Sequence, residues 1–134
     1  MNIVLVDSSV LLDIITDDPI WREWSSAALA SVSSESLLAI NPLIYAEVSS
    51  RFSTIEKLNE ALPKDKYRRE ALPFEAAFLA GKAFLKYRRR GGAKTSPISD
   101  FYIGAHAAVS GFRILTRDAS RYRTYFPTVE LIAP

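Results

Sequence analysis

Short apolar runs alternate along this chain with stretches whose apolar residues recur every three or four positions, which is the pattern of strands exchanging with amphipathic helices. Ile3 to Val6 is the first run. It is β-branched at three of its four positions and uninterrupted by polar residues, as a strand buried on both faces of a parallel sheet requires. Asp7 ends it, and Ser8 or Ser9 can cap a helix carrying Val10, Leu11, Leu12, Ile14 and Ile15. Pro19, after Asp18, is placed to start a second helix through Ile20, Trp24, Ala27, Ala28 and Val32. Leu37 to Ile40 reads as a second strand, closed by Asn41 and Pro42, after which the period turns helical from Leu43 to about Phe52. Ser53 or Thr54 opens a further short helix to Leu62.

Pro63 to Pro73 is charged and bounded by proline, so a loop or a solvated helical turn is expected there. Phe74 begins a long helix in which Phe74, Ala77, Phe78, Gly81, Phe84 and Leu85 share a stripe, with Gly81 allowing close packing. That helix ends at Arg88, Arg89, Arg90, Gly91 and Gly92, cations suited to the negative end of its dipole. Ser96 and Pro97 should start the next helix, which runs to about Ser110 and stops at Gly111. Ile114 to Thr116 and Val129 to Ile132 read as the third and fourth strands, with a turn or short helix over Ala119 to Tyr125 between them. Such alternation implies right-handed crossovers and a parallel sheet covered on both faces. The whole chain, residues 1–134, reads as one domain.

Composition narrows the chemistry. With no cysteine, disulfides and thiolate metal sites are excluded, leaving oxygen ligands or the single His106 for any metal. The apolar start is broken by Asp7 and lacks a basic leader, and no run is long enough to span a bilayer, so a cytoplasmic location is expected. The net charge of +2 conceals a polarity: residues 1–63 carry 3 basic and 9 acidic side chains, residues 64–134 carry 14 basic and 6 acidic. A polyanion meeting the basic half, with acids from both halves around a cation, would explain it; an uneven solvated surface would as well.

Sites in open parallel sheets form beyond the carboxyl ends of the strands. Asp7 follows the first strand and Asp118 the third, so both belong on one rim. Glu47 sits among the apolar neighbours of Leu43-Ile44-Tyr45-Ala46-Glu47-Val48, and Asp100 shares a helix face with Ile103 and Ala107. Each acid alone has a structural explanation as a cap or a helix-dipole partner. Gathered together they do not: two carboxylates about 5 Å apart repel by roughly 3 kcal/mol at an effective dielectric near 20. Such a cluster must take up protons or a cation, and hard oxygen ligands select Mg²⁺ or Mn²⁺, ions suited to phosphoryl chemistry. Beside the basic half, this points to a nuclease.

These residues resemble those of the PIN-domain ribonucleases, specifically the VapC-like toxins of type II toxin–antitoxin systems. The likeness is carried by Val6-Asp7-Ser8-Ser9-Val10-Leu11-Leu12-Asp13, Tyr45-Ala46-Glu47-Val48, Ser99-Asp100-Phe101-Tyr102-Ile103-Gly104-Ala105-His106-Ala107 and Leu115-Thr116-Arg117-Asp118, in order across nearly the full length. It implies a three-layer α/β/α fold with a central parallel sheet of four or five strands, and Asp7, Glu47, Asp100 and Asp118 as the catalytic, metal-binding quartet. Ser9 and Thr116 stand where the family places small polar residues near the metal. Ser99 stands where a proline is common in the family. The resemblance also implies a Mg²⁺- or Mn²⁺-dependent endoribonuclease that forms a homodimer and is held by a cognate antitoxin.

RNA contacts are expected from Arg117 and Arg121 beside Asp118, from Arg88, Arg89, Arg90 and Lys94, and from Lys64, Lys66, Arg68 and Arg69. Tyr67, Tyr87, Tyr122 and Tyr125, interleaved with these cations, could stack on unpaired bases. Two other readings compete. A Ser-His-Asp hydrolase through His106 lacks a nucleophile elbow, and a hydrogen-bonded helix histidine is the better expectation. A catalytically silent RNA-binding or partner-binding module would keep the fold without needing all four acids. Trp21 and Trp24 are expected in the core rather than on a dimer face or antitoxin groove.

Overall fold

The computed structural model describes residues 2–94 and 98–134. Its chain order is β1 (Ile3–Val6), α1 (Ser8–Ile15), α2 (Arg22–Ser33), β2 (Leu37–Ile40), α3 (Pro42–Ser49), α4 (Ile55–Ala61), β3 (Tyr67–Arg69), α5 (Phe74–Arg89), α6 (Ser99–Ser110), β4 (Arg113–Leu115), α7 (Ser120–Tyr125) and β5 (Leu131–Ile132). The strands form one five-stranded sheet in the order β3-β2-β1-β4-β5, with every pairing parallel. Val4, Leu5 and Val6 at its centre are wholly buried, as are Ile114 and Leu115 beside them. The chain builds outward from β1 through β2 to β3, then returns to the other side of β1 with β4. The order therefore reverses between β1 and β4, and a crevice opens beyond their carboxyl ends.

Several helix starts follow their residues. Asn41 caps α3 by accepting the Ile44 N–H at 3.0 Å, with Pro42 in the first turn, and Thr54 caps α4 through the Lys57 N–H at 3.2 Å. Asp18 accepts the N–H groups of Ile20 and Trp21, both at 2.9 Å, so it caps a turn and the second helix proper starts later than Pro19, at Arg22. Gly111, at φ 72°, ends α6 in the left-handed conformation that a residue with a side chain rarely adopts. The start expected at Ser96 and Pro97 lies outside the described residues. No helix among the described residues is long and apolar enough to cross a membrane.

Three expectations are corrected. Pro63 to Pro73 is not merely loop: Tyr67–Arg69 is a parallel edge strand in which Tyr67 is buried while Arg68 and Arg69 face solvent. One inward side chain suffices for a strand with a single neighbour, so no apolar run marks it. The last strand is shorter than expected, Leu131–Ile132 only, so both edges of the sheet are short. In α5 the buried stripe is Ala76, Ala80 and Ala83, whereas Phe74, Phe78 and Leu85 are 91, 69 and 45% exposed. Small residues let α5 lie close on α6, and the space over Gly81 is open rather than a packing contact. Trp24 packs against the core; Trp21 meets it edge-on, with ring centroids 6.4 Å apart.

Candidate active site

The reversal between β1 and β4 is where the acids gather. The Asp7 N–H continues the sheet by donating to the Leu115 carbonyl at 2.9 Å, which leaves its side chain at the end of β1 beside the segment following β4. Its carboxylate is buried and held through Oδ2 by Thr116 Oγ1 at 2.8 Å and Ser9 Oγ at 3.2 Å. Thr116 Oγ1 also accepts the Asp118 N–H at 3.0 Å, so one hydroxyl ties the first acid of the chain to the last. Ser9 and Thr116, expected near a metal, both bond the Asp7 carboxylate.

Glu47 reaches the same rim from α3. Ser8 Oγ donates to its Oε1 at 3.0 Å and Ser99 Oγ to its Oε2 at 3.1 Å, so α1 and α6 hold one oxygen each. Ser99, the residue where the resemblance led us to expect proline, thus replaces a helix-starting ring with a carboxylate donor. Asp100, in the first turn of α6, lies 3.5 Å from Arg121 Nη1 across a cleft of about 330 Å³ whose lining also includes Asp118, Tyr87 and Tyr125. Asp118 is exposed at the open side.

The acids lie close enough to act on one another in part: Asp100 and Glu47 on Asp7, and Glu47 and Asp118 on Asp100. Burial pushes the Asp7 carboxyl up to about 6, and the neighbouring Asp100 and Glu47 carboxylates raise it further against the hydrogen bonds of Thr116 and Ser9. Asp100 is raised too, mainly by burial and then by Glu47 and Asp118, with Arg121 opposing. Among the described residues, no three Asp, Glu or His side chains stand close enough to make a ready cation cage. Glu47 is held by its two serines, and Asp100 faces the Arg121 guanidinium.

The sequence missed one member of this site. Tyr122, one helical turn beyond Asp118, is wholly buried, and its hydroxyl meets no hydrogen-bond partner. Burial, then the charges of Asp7, Asp100 and Glu47, push that hydroxyl well above the ordinary tyrosine range. Expected instead as a base-stacking residue, it cannot reach a base, and neither can buried Tyr67. The four-residue step from Asp118 was the available signal.

The expected RNA contacts divide. Arg117 is turned inward: its Nε and Nη2 reach Asp13 at 3.2 and 2.9 Å, and its guanidinium lies 5.6 Å from the Trp21 ring centre. Arg121 is in the cleft, spread over the rings of Tyr87 and Phe101 at 5.5 and 5.8 Å. Arg90 sits over Tyr125, at the cleft's edge, and Arg88 donates to the Lys94 backbone oxygen; Arg89 and Lys94 are exposed. Arg68 pairs with Glu70, and Arg69 bonds Asn59 and covers the Tyr45 ring. His106 is buried beside Asn41, its Nδ1 3.1 Å from the Asn41 amide, and burial lowers its pKa. It braces the cap of α3 and is no catalytic base.

The model of the PIN domain family matches residues 4–127. This chain belongs to the PIN-domain family. Among solved structures, this PIN domain is similar to VapBC2 from Rickettsia felis bound to a promoter DNA fragment, with a TM-score of 0.73 at 15% identity over 98% of each chain. VapBC-1 from nontypeable Haemophilus influenzae superposes with a TM-score of 0.73 at 14% identity, over 98% of this PIN domain and 97% of that chain. FitAcB from Neisseria gonorrhoeae superposes with a TM-score of 0.67 at 17% identity, over 96% of each. At these identities the likeness establishes a shared fold, the three-layer α/β/α arrangement with a parallel sheet. No curated protein matches the PIN domain's sequence.

Proposed function

We propose that this PIN domain is a Mg²⁺- or Mn²⁺-dependent endoribonuclease, the toxin of a toxin–antitoxin pair, acting in the cytoplasm. What supports the reading is that Asp7 and Asp118 lie at the sheet's reversal point, that Asp118 lines one cleft with Asp100, and that Asp7 is raised to about 6 by burial and then by Asp100 and Glu47. A site that hard, anionic and oxygen-only fits a small divalent cation. Asp7 and Asp100 would bind it most directly, with Glu47 and Asp118 completing the set. The bound ion would polarise a phosphodiester and lower the pKa of an attacking water.

The chain's own residues prepare that chemistry. Thr116 and Ser9 fix the Asp7 carboxylate, Ser8 and Ser99 fix that of Glu47, and Arg121 sits within the cleft where a phosphate would lie. Arg90, with the half-buried Tyr87 and Tyr125, extends a cationic and aromatic wall for single-stranded RNA. Purified protein with labelled single-stranded RNA and Mn²⁺ should cleave it, and EDTA should stop the reaction. RNA retained without metal-dependent cutting would instead identify a catalytically silent binding module.

The antitoxin partner follows from the fold's company: the similar structures include VapBC complexes and a toxin–antitoxin complex from Klebsiella pneumoniae. The homodimer has a face to form on. Phe74, Phe78 and Leu85 make an exposed apolar stripe along α5 that a second copy of the chain would cover. Phe78→Glu is expected to convert dimer to monomer in sedimentation while leaving the circular dichroism spectrum unchanged. A Phe78→Glu protein that sediments like the parent would move the dimer interface elsewhere.

A further inference from the structure

Of the acids at the site, Asp118 has the least of its own to hold it. Asp7 and Glu47 each take two hydroxyl donors, and Asp100 is built into α6. Asp118 is exposed on the short segment between β4 and α7, in neither helix nor strand, and among the described residues its carboxylate has no hydrogen bond or ion pair. The residue before it is anchored far more heavily. Arg117 donates its N–H to Ser9 Oγ at 3.3 Å, and its Nε and Nη2 reach Asp13 Oδ2 and Oδ1 at 3.2 and 2.9 Å. Ser9 and Asp13 stand one above the other on one face of α1, so that helix takes both the main chain and the side chain of Arg117. Ser25 of α2 braces Asp13 Oδ2 at 2.7 Å, and the Trp21 ring flanks the guanidinium.

We propose that Asp13 and Arg117 are a positioning pair for Asp118, clamping the residue before it to α1 so that its carboxylate stays in the cleft it shares with Asp100. Stability alone is a poor reason for such a pair. Burying charges is costly, and apolar residues of the same volume commonly do as well or better. What a two-pronged contact between arginine and carboxylate adds is direction. Here that direction is passed to the next residue, because the Asp118 N–H is tied back to Thr116 Oγ1 while Arg117 between them is held at both its backbone and its side chain. Ser9 joins this clamp to the rest of the site, since the hydroxyl that accepts the Arg117 N–H also donates to Asp7 Oδ2. Groups that orient a metal ligand from behind typically govern about 10- to 100-fold in metal affinity.

This inference rests on the metal-dependent reading above, and the experiment separates the two. Mn²⁺ is titrated calorimetrically, well below the melting temperature, into the parent, the paired variant Asp13→Asn with Arg117→Met, Asp118→Asn, and the protein carrying all three changes. Changing the pair together strands no buried charge and leaves the net charge as it was, so neither an unfolded chain nor an altered overall field imitates lost positioning. The paired change should weaken Mn²⁺ binding about 10-fold while Asp118 is present. With Asp118 already asparagine, the same change should cost nothing further, because the pair acts through that side chain. A purely structural role would weaken binding to the same extent in both backgrounds. Equal losses in the two backgrounds, parental affinity in the paired variant, or parental affinity in Asp118→Asn would each overturn the assignment and leave the metal-dependent reading standing. A parent that binds no Mn²⁺ would sink both.

Discussion

Asp7→Asn should abolish metal-dependent RNA cleavage and, in the absence of metal, make the protein more stable at neutral pH. The two effects share one cause. Asp7 is buried with a carboxyl raised from its ordinary 3.8 to about 6, so the folded state binds a proton more tightly than the unfolded chain does. For a raised acid the favourable state is the protonated one: stability is fully present below about pH 4 and declines as pH rises through about 6. By neutral pH the charging penalty is of the order of 3 kcal/mol. Asparagine removes it while keeping an oxygen that can accept from Thr116. Asp100, raised in the same direction, adds to the trend. Urea unfolding of the metal-free parent should therefore show stability falling between pH 4 and 7, with Mn²⁺ restoring it at neutral pH. Asp7→Asn should flatten the profile and lose the Mn²⁺ response. Full cleavage by the variant, or a parental pH profile, would remove Asp7 from the centre of the site.

The largest loss of stability is expected from Arg117→Met. Asp13 is inside the protein, its side chain 2% exposed, where it accepts Ser25 Oγ at 2.7 Å and a two-pronged contact from Arg117, itself 30% exposed. Removing the arginine strands a carboxylate that cannot reach water, a change that typically costs about 3–5 kcal/mol. Asp13→Asn is milder, since the freed guanidinium can turn outward from its partly exposed position and asparagine still accepts from Ser25; about 1–2 kcal/mol is expected. The asymmetry, read from urea midpoints, distinguishes this pairing from an RNA contact. An RNA-binding Arg117 would change affinity and leave the midpoint where it was.

Arg117 also shows where sequence reading stops. Its place beside Asp118 marked it as a substrate contact, but the acid that claims it is Asp13, in α1 and three strands earlier in the chain. Adjacency along the sequence was informative for Thr116, whose backbone neighbour Asp118 it caps, and misleading for Arg117, because successive residues leaving a strand point to opposite sides. The four acids were legible for a firmer reason. Asp7 and Asp118 follow apolar runs that can only be parallel strands, while Glu47 and Asp100 carry charge where the surrounding period is apolar. Tyr122 was hidden because a tyrosine among arginines looks the same whether it faces solvent or core. The α5 stripe was misread for a related reason: phenylalanine outweighs alanine in any hydrophobic pattern, yet Ala76, Ala80 and Ala83 are what allow a neighbouring helix to approach.

The narrow borders of the sheet decide how another chain can approach. At one margin stand three residues, two of them arginines with outward side chains; at the other, the strand is only two residues long. An incoming extended peptide would find too few amides to zip onto, and at the first margin it would also meet the exposed Arg68 and Arg69 side chains. Self-templated stacking is blocked by the same arrangement. Whatever recognises this molecule must read its helical surfaces, through side-chain shape rather than backbone ladders.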